Sequence, residues 1–331
     1  MSISSLITRR SALLAGLTLT SAAAAGRRAL ASSSAPEGRI RLPSGRRLGY
    51  AEYGNPAGPP VFYFHGTPGS RVDVGVVDEE AIAAGVRLIA LERPGIGLSD
   101  YKSGRRILDW PAEVECAAAA LGYPDTSFGV IGLSGGAPYA LACVKSIPHR
   151  LTHVAVVSGH SPMNAPGTHR GNQDSLIEFV VRRPRLATMG FNVAIRQLNR
   201  KPDRFLEKVS ESWSASDRQM VMCRADYRAA VIDTLREATR CGATGIRTDV
   251  QLLGTSWCFR LNQLPPASIS IWHGGCDPIA PVSMGHYFHR NLAGSQLVVD
   301  PSAGHLTMIK WHAAEILARF SATVAPALAT G

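Results

Sequence analysis

The run Phe128-Gly-Val-Ile-Gly-Leu-Ser134-Gly-Gly136 carries an apolar stretch into Gly-x-Ser-x-Gly and on into an Ala-rich helical pattern ending near Ser146. A serine presented this way sits on a strand-to-helix turn so sharp that the positions two before and two after it are crowded, and Gly132 and Gly136 occupy both. That turn demands a strand, a tight corner and a helix in immediate succession, which points to an α/β architecture. The surrounding pattern agrees. Between Arg39 and Gly159 short β-rich runs (49–53, 60–64, 86–91, 128–132 and 152–158) alternate with helical patterns (74–84, 108–121 and 137–146), as in a mostly parallel, doubly wound sheet with crossover helices.

The alternation stops near Ser161. From there to Pro265 the sequence offers amphipathic, Arg-rich helical segments, and no strand pattern returns before Ser268–Trp272; a strand at 297–300 and a closing helix at 306–320 then resume the rhythm. The chain is therefore read as a core of residues 32–160 and 266–331 with a helical lid inserted at 161–265.

A serine hydroxyl is a poor nucleophile at neutral pH unless a base lies within hydrogen-bond reach and a carboxylate orients that base. Ile271-Trp-His-Gly-Gly-Cys-Asp277 puts an aspartate in a turn after an apolar strand, and Asp300-Pro-Ser-Ala-Gly-His305 puts a histidine in the loop after the next strand. Ser134, Asp277 and His305 are the expected triad. Among the ten histidines His305 alone has this setting near the C-terminus; His286, His289 and His312 fall in helical patterns, and His273 lies at a strand end. Asp300 is the competing acid but stands only five residues before His305, on the preceding strand, while Asp100 and Asp125 read as turn and cap residues. The apolar strand Pro60–Phe64 runs into His65-Gly66-Thr67-Pro68-Gly69-Ser70. That loop is expected to supply the Thr67 amide which, with the Gly135 amide, would hold a developing oxyanion. His65 and Gly66 read as loop support, and no second cluster of spaced ligands accompanies His65 to make a zinc site.

In order and spacing, His65-Gly-Thr-Pro-Gly-Ser-Arg71, Glu92-Arg-Pro-Gly-Ile-Gly-Leu-Ser99, Gly132-Leu-Ser-Gly-Gly136, Gly274-Gly-Cys-Asp277 and Gly304-His305 resemble the α/β-hydrolase superfamily, close to its esterase-like and proline-iminopeptidase-like branch. The resemblance covers roughly residues 39–322. Glu92 departs from the aspartate usual in relatives; because that motif organises a loop, little chemical consequence is expected. The serine at 134 sets aside dehalogenase and epoxide-hydrolase chemistry, which use aspartate there. The resemblance implies hydrolysis of carboxylic esters through an acyl-enzyme, with no metal or organic cofactor. Two other functions stay open: an aminopeptidase or amidase on small peptides, with Glu207 and Glu211 as its candidate carboxylates, and a non-catalytic receptor for a small apolar ligand.

Thr8-Arg9-Arg10-Ser11 opens an uncharged stretch to Gly26, the first acidic residue is Glu37, and Ala29-Leu30-Ala31 offers small residues to a signal peptidase. Residues 1–31 thus read as a twin-arginine-type export signal, with the mature protein periplasmic or secreted; a mitochondrial transit peptide and a retained anchor are the alternatives. Four arginines lie in that segment, so the formal charge of +10 falls to +6 without it. The lid segment holds 16 Lys and Arg against 10 Asp and Glu, which accounts for the whole remaining excess. The excess reads as solvated helix faces or as attraction for acidic esters and anionic envelope lipid. It lacks interleaved stacking aromatics, so no nucleic-acid partner is expected. The lid residues Phe191, Trp213, Met220, Met222, Trp257 and Phe259 read mainly as helix packing, with any acyl pocket drawing on some of them. Six cysteines could pair in an oxidising compartment, although Cys116 and Cys143 read as buried thiols in Ala-rich helices. Nothing in the sequence sets an oligomeric state.

Overall fold

A computed structural model describes residues 36–321; the twin-arginine pattern and residues 322–331 lie outside them. The strands are β1 (Glu37–Arg41), β2 (Arg47–Gly54), β3 (Pro60–Phe64), β4 (Arg87–Leu91), β5 (Phe128–Leu133), β6 (Leu151–Val157), β7 (Ile269–Gly274) and β8 (Gln296–Asp300). They form one sheet in the order β1-β2-β4-β3-β5-β6-β7-β8. β2 is antiparallel to both its neighbours, and every other pairing is parallel. The helices are α1 (Asp78–Ala84), α2 (Trp110–Ala120), α3 (Ala137–Ser146), α4 (Asp174–Arg182), α5 (Pro184–Arg200), α6 (Pro202–Ser210), α7 (Ala215–Cys223), α8 (Ala225–Ala238), α9 (Ala243–Leu253), α10 (Val282–Asn291), α11 (His305–Trp311) and α12 (Ala313–Ala318).

β3, β5 and β7 are buried along their whole length because helices cover both faces of the sheet, which is why they read as unbroken apolar runs instead of alternating ones. Strand geometry splits each run between two cores. Phe62, Phe64, Phe128 and Val130 face α2 and α3, packing with Trp110, Val114 and Leu141. Val61, Tyr63, Ile131 and Leu133 face the opposite way, toward Val77, Met308 and Ile316.

Six helices, α4 to α9, lie between β6 and β7, in the segment read from sequence as helical. They carry a core of their own around Ile177, Val180, Ile246, Val250 and Leu253. β1 has no counterpart in the sequence reading. It is a short, charged edge strand in which only Ile40 is buried, so it carries no periodic signal. The closing helix is two helices, broken at His312, whose ring turns to Asp300 Oδ2 at 2.9 Å. All six cysteines are free thiols, Cys143 fully buried and Cys116 half-buried.

Candidate active site

β5 ends at Leu133 and α3 begins at Ala137, so the chain reverses within Ser134–Gly136. Ser134 takes φ 51°, a left-handed conformation that few residues with a side chain adopt. The turn closes because its flanks are glycine. A Cβ at Gly132 would lie 2.8 Å from the Gly136 carbonyl oxygen, and one at Gly136 would collide with the Phe64 carbonyl oxygen. The serine is thereby held at the wall of a cavity of about 180 Å³ that Gly66, Thr67 and His305 also line. Its hydroxyl makes no hydrogen bond among the described residues.

β7 delivers Asp277 into a tight turn in which Oδ1 accepts the amides of Ile279 (2.8 Å) and Ala280 (2.9 Å). Oδ2 accepts from His305 Nδ1 at 2.7 Å. Burial opposes the charge of Asp277, but the His305 partner outweighs it and leaves the carboxyl below its ordinary range. Burial likewise opposes protonation of His305, yet the Asp277 charge and hydrogen bond, with Asp217 adding to them, raise it above the usual 6.5. Asp300 is turned away: its Oδ1 takes the Ser302 amide and hydroxyl, and its Oδ2 takes His312. Buried His273 donates from Nε2 to the Ala280 carbonyl at 2.7 Å. The structure thus gathers Ser134, His305, Thr67 and Gly66 at one cavity and stands Asp277 behind His305.

Thr67 and Gly135 are neighbours across the cavity wall; a Cβ on Gly135 would lie 2.5 Å from Thr67 Oγ1. The loop between them is tied from below. His65 is buried, donates from Nδ1 to the Gly66 carbonyl (2.9 Å) and accepts the Arg93 amide at Nε2 (3.3 Å). Burial and the Arg93 charge lower its pKa to about 3, so the ring stays neutral. Arg93 itself donates to the carbonyls of His65 (2.6 Å) and Gly66 (2.7 Å) and to Thr67 Oγ1 (3.0 Å). Its Nε reaches Asp249 of α9 at 2.8 Å, and Arg105 meets the other Asp249 oxygen. Burial works against Asp249, but the two arginines prevail and lower it to about 2. Glu92, the residue that departs from the aspartate of relatives, is buried between Arg71 (2.9 Å) and the Leu98 amide (2.6 Å) and orders the loop after β4.

The profile of the alpha/beta hydrolase family matches residues 61–319. The chain belongs to that family. Among curated proteins no sequence matches it. Solved structures share the fold of this α/β hydrolase at low identity. An esterase from Exiguobacterium antarcticum is 18% identical with a TM-score of 0.61, the match covering 84% of this chain and 96% of that one. A thermophilic esterase from Thermogutta terrifontis is 20% identical at 0.60 over 86% and 96%. An enol-lactonase from Burkholderia xenovorans LB400 is 14% identical at 0.60 over 85% and 96%.

One residue of this α/β hydrolase stands out that sequence reading passes over. Asp217 of α7 is fully buried and accepts the amides of His305 (2.7 Å), Leu306 (2.9 Å) and Thr307 (2.7 Å) as well as the Thr307 hydroxyl (2.9 Å). A carboxylate from the helical insertion therefore caps the helix that begins with His305, while Ser158 Oγ donates to the His305 carbonyl at 3.1 Å. The contact spans 88 residues of sequence, and Asp217 sits among many other charges there, so no local signal marks it. Asp217→Ala leaves three amides and a hydroxyl without their buried acceptor. A loss of about 2–4 kcal/mol is expected in denaturant unfolding.

A second cavity, of about 390 Å³, adjoins the first and shares Thr67, Pro68, Trp213 and Leu235 with it. Of the six bulky insertion residues, Trp213 and Met220 line the first and Phe191 the second. Met222 packs with Leu206 and Val221, and Trp257 and Phe259 join the main core with ring centroids 5.9 Å apart. Glu207 and Glu211 are exposed and line neither cavity. Among the described residues Asp73 is the only carboxylate lining either one, and burial raises it to about 7. No group of three His, Cys, Asp or Glu side chains among the described residues is arranged to hold a metal.

Proposed function

We propose that this α/β hydrolase cleaves carboxylic esters through an acyl-enzyme on Ser134. The observation that carries the reading is His305 Nδ1 bonded to Asp277 Oδ2 at 2.7 Å, at the wall of the cavity that also holds a left-handed Ser134. In the first step Ser134 Oγ attacks the ester carbonyl carbon while His305 Nε2 takes the hydroxyl proton. The amides of Thr67 and Gly135 receive the oxyanion, an interaction worth about 3–4 kcal/mol per donor in comparable enzymes. The imidazolium then passes its proton to the leaving alkoxide oxygen as that C–O bond breaks. Water repeats the sequence on the acyl-serine, releasing the acid and restoring both Ser134 and neutral His305.

The aminopeptidase reading draws less support. An ammonium substrate needs a charged carboxylate in the cavity, Glu207 and Glu211 are outside it, and burial pushes the Asp73 carboxyl up, toward its neutral form. Residues 1–31 support assigning the reaction to the periplasm or the exterior through their twin-arginine pattern alone.

The test is fluorophosphonate labelling followed as a function of pH, with peptide mapping. Label is expected on Ser134, with the rate falling as pH drops through a value above 6.5, because only neutral His305 accepts the proton. Asp217→Asn removes one of the charges that raise His305, so the acid limb should move to lower pH. Folded protein that takes no label would favour a small-ligand receptor instead.

A further inference from the structure

Helices α4 and α5 are apolar on two faces. Inward they bury Ile177, Val180, Ala187 and Leu198. Outward, Leu176, Phe179, Leu186, Met189 and Val193 stand 44%, 43%, 54%, 65% and 51% exposed. The spacing of 186, 189 and 193 sets three of them in one stripe along α5. A helix on a globular surface turns its polar side to water, and while single exposed apolar residues need no explanation, five large ones on consecutive helices do.

The border of this face is basic. Arg182, Arg183, Arg185, Arg196 and Arg200 are all exposed, and none is ion-paired with a carboxylate among the described residues. Two acids of the same stretch are engaged elsewhere: Asp174 is buried against His160 (3.2 Å) and Glu178 pairs with Arg170 (2.7 Å). The apolar surface also continues inward, since Leu176 lines the larger cavity beside Phe191, Ile195 and Phe205.

We propose that the α4–α5 face docks on an anionic phospholipid bilayer, with its arginines among the headgroup phosphates and its apolar side chains at the acyl boundary. A membrane-lying surface needs an apolar stripe flanked by Lys and Arg, and this face has both. A second copy is a poorer occupant, because a two-fold contact through this patch would set one ring of unpaired arginines against an identical ring. The proposal is independent of the reaction assigned to Ser134, and its readout is binding.

The test is co-sedimentation of the full chain with vesicles of phosphatidylcholine alone and of phosphatidylcholine mixed with phosphatidylglycerol. Binding is expected to the mixed vesicles and to weaken with salt. Replacing Arg182, Arg185 and Arg200 with Gln should weaken it on the order of 100-fold, at about fivefold per charge. Leu186→Ser with Met189→Ser should release the protein while leaving hydrolysis of a short soluble ester unchanged. Equal binding to both vesicle types, no binding to either, or vesicle affinity untouched by both sets of variants overturns the proposal. So does a dimer in solution that the Leu186→Ser, Met189→Ser pair dissolves.

Discussion

A Ser134→Ala variant is expected to hydrolyse a short soluble ester roughly 10^4- to 10^6-fold more slowly in kcat, with KM little changed. The size of the effect follows from what remains. The Thr67 and Gly135 amides and the cavity are intact, so substrate still binds, but no acyl-enzyme can form and water must attack directly. Asp277→Asn should fall by roughly 10^4-fold in kcat through a different cause: the side chain that accepts from His305 Nδ1 can then donate instead, which favours the wrong tautomer. A double variant should be no slower than Ser134→Ala alone, because the two residues serve one step. Steady-state kinetics on purified, folded variants decides it, and a Ser134→Ala loss below about tenfold would move the chemistry to another group.

The second large effect concerns stability. Asp249→Ala strips out the carboxylate that pairs with both Arg93 and Arg105, which are 0% and 5% exposed. Two guanidinium groups would then share a buried site without a countercharge, and breaking a buried pair from one side costs about 3–5 kcal/mol. Because Arg93 also holds the carbonyls of His65 and Gly66, the residual folded protein should lose labelling at Ser134 as well. Asp249→Asn keeps the shape and an acceptor oxygen, so it should be milder in both respects. Denaturant unfolding together with fluorophosphonate labelling checks both outcomes; an Asp249→Ala variant as stable as the parent would mean that water relieves the arginines.

What the sequence made legible is what short-range patterns encode. The turn at Ser134 is a local construction of Gly132, Gly136 and an apolar strand; Asp277 sits just beyond β7, whose burial writes an apolar run, and His305 follows β8, a half-exposed edge strand with a short Leu-Val-Val run. The positions of β2 to β7 along the chain follow from such runs, but their order in the sheet does not, and β1 escaped because an edge strand with one buried residue has no pattern to read. The supports were hidden for a different reason. Asp217 reaches His305 across 88 residues and Asp249 reaches Arg93 across 156, and each is one charge among many on amphipathic helices. Only the tertiary fold selects those two from Glu207 and Glu211, which resemble them in sequence and face water. Side-chain direction was equally illegible for the bulky residues of the insertion, half of which line the cavities while the other half pack elsewhere.

The helical insertion enters after β6 and leaves before β7, which gives it the look of an interchangeable module. Two of its buried carboxylates, Asp217 and Asp249, say otherwise. A chimera that grafted a foreign cap onto this sheet would have to bring acceptors to the start of α11 and an anion between Arg93 and Arg105, or the host core would fail before the new pocket was ever tried. Substrate range in this scaffold is therefore more open to exchange of the side chains that line the two cavities than to exchange of the cap as a unit.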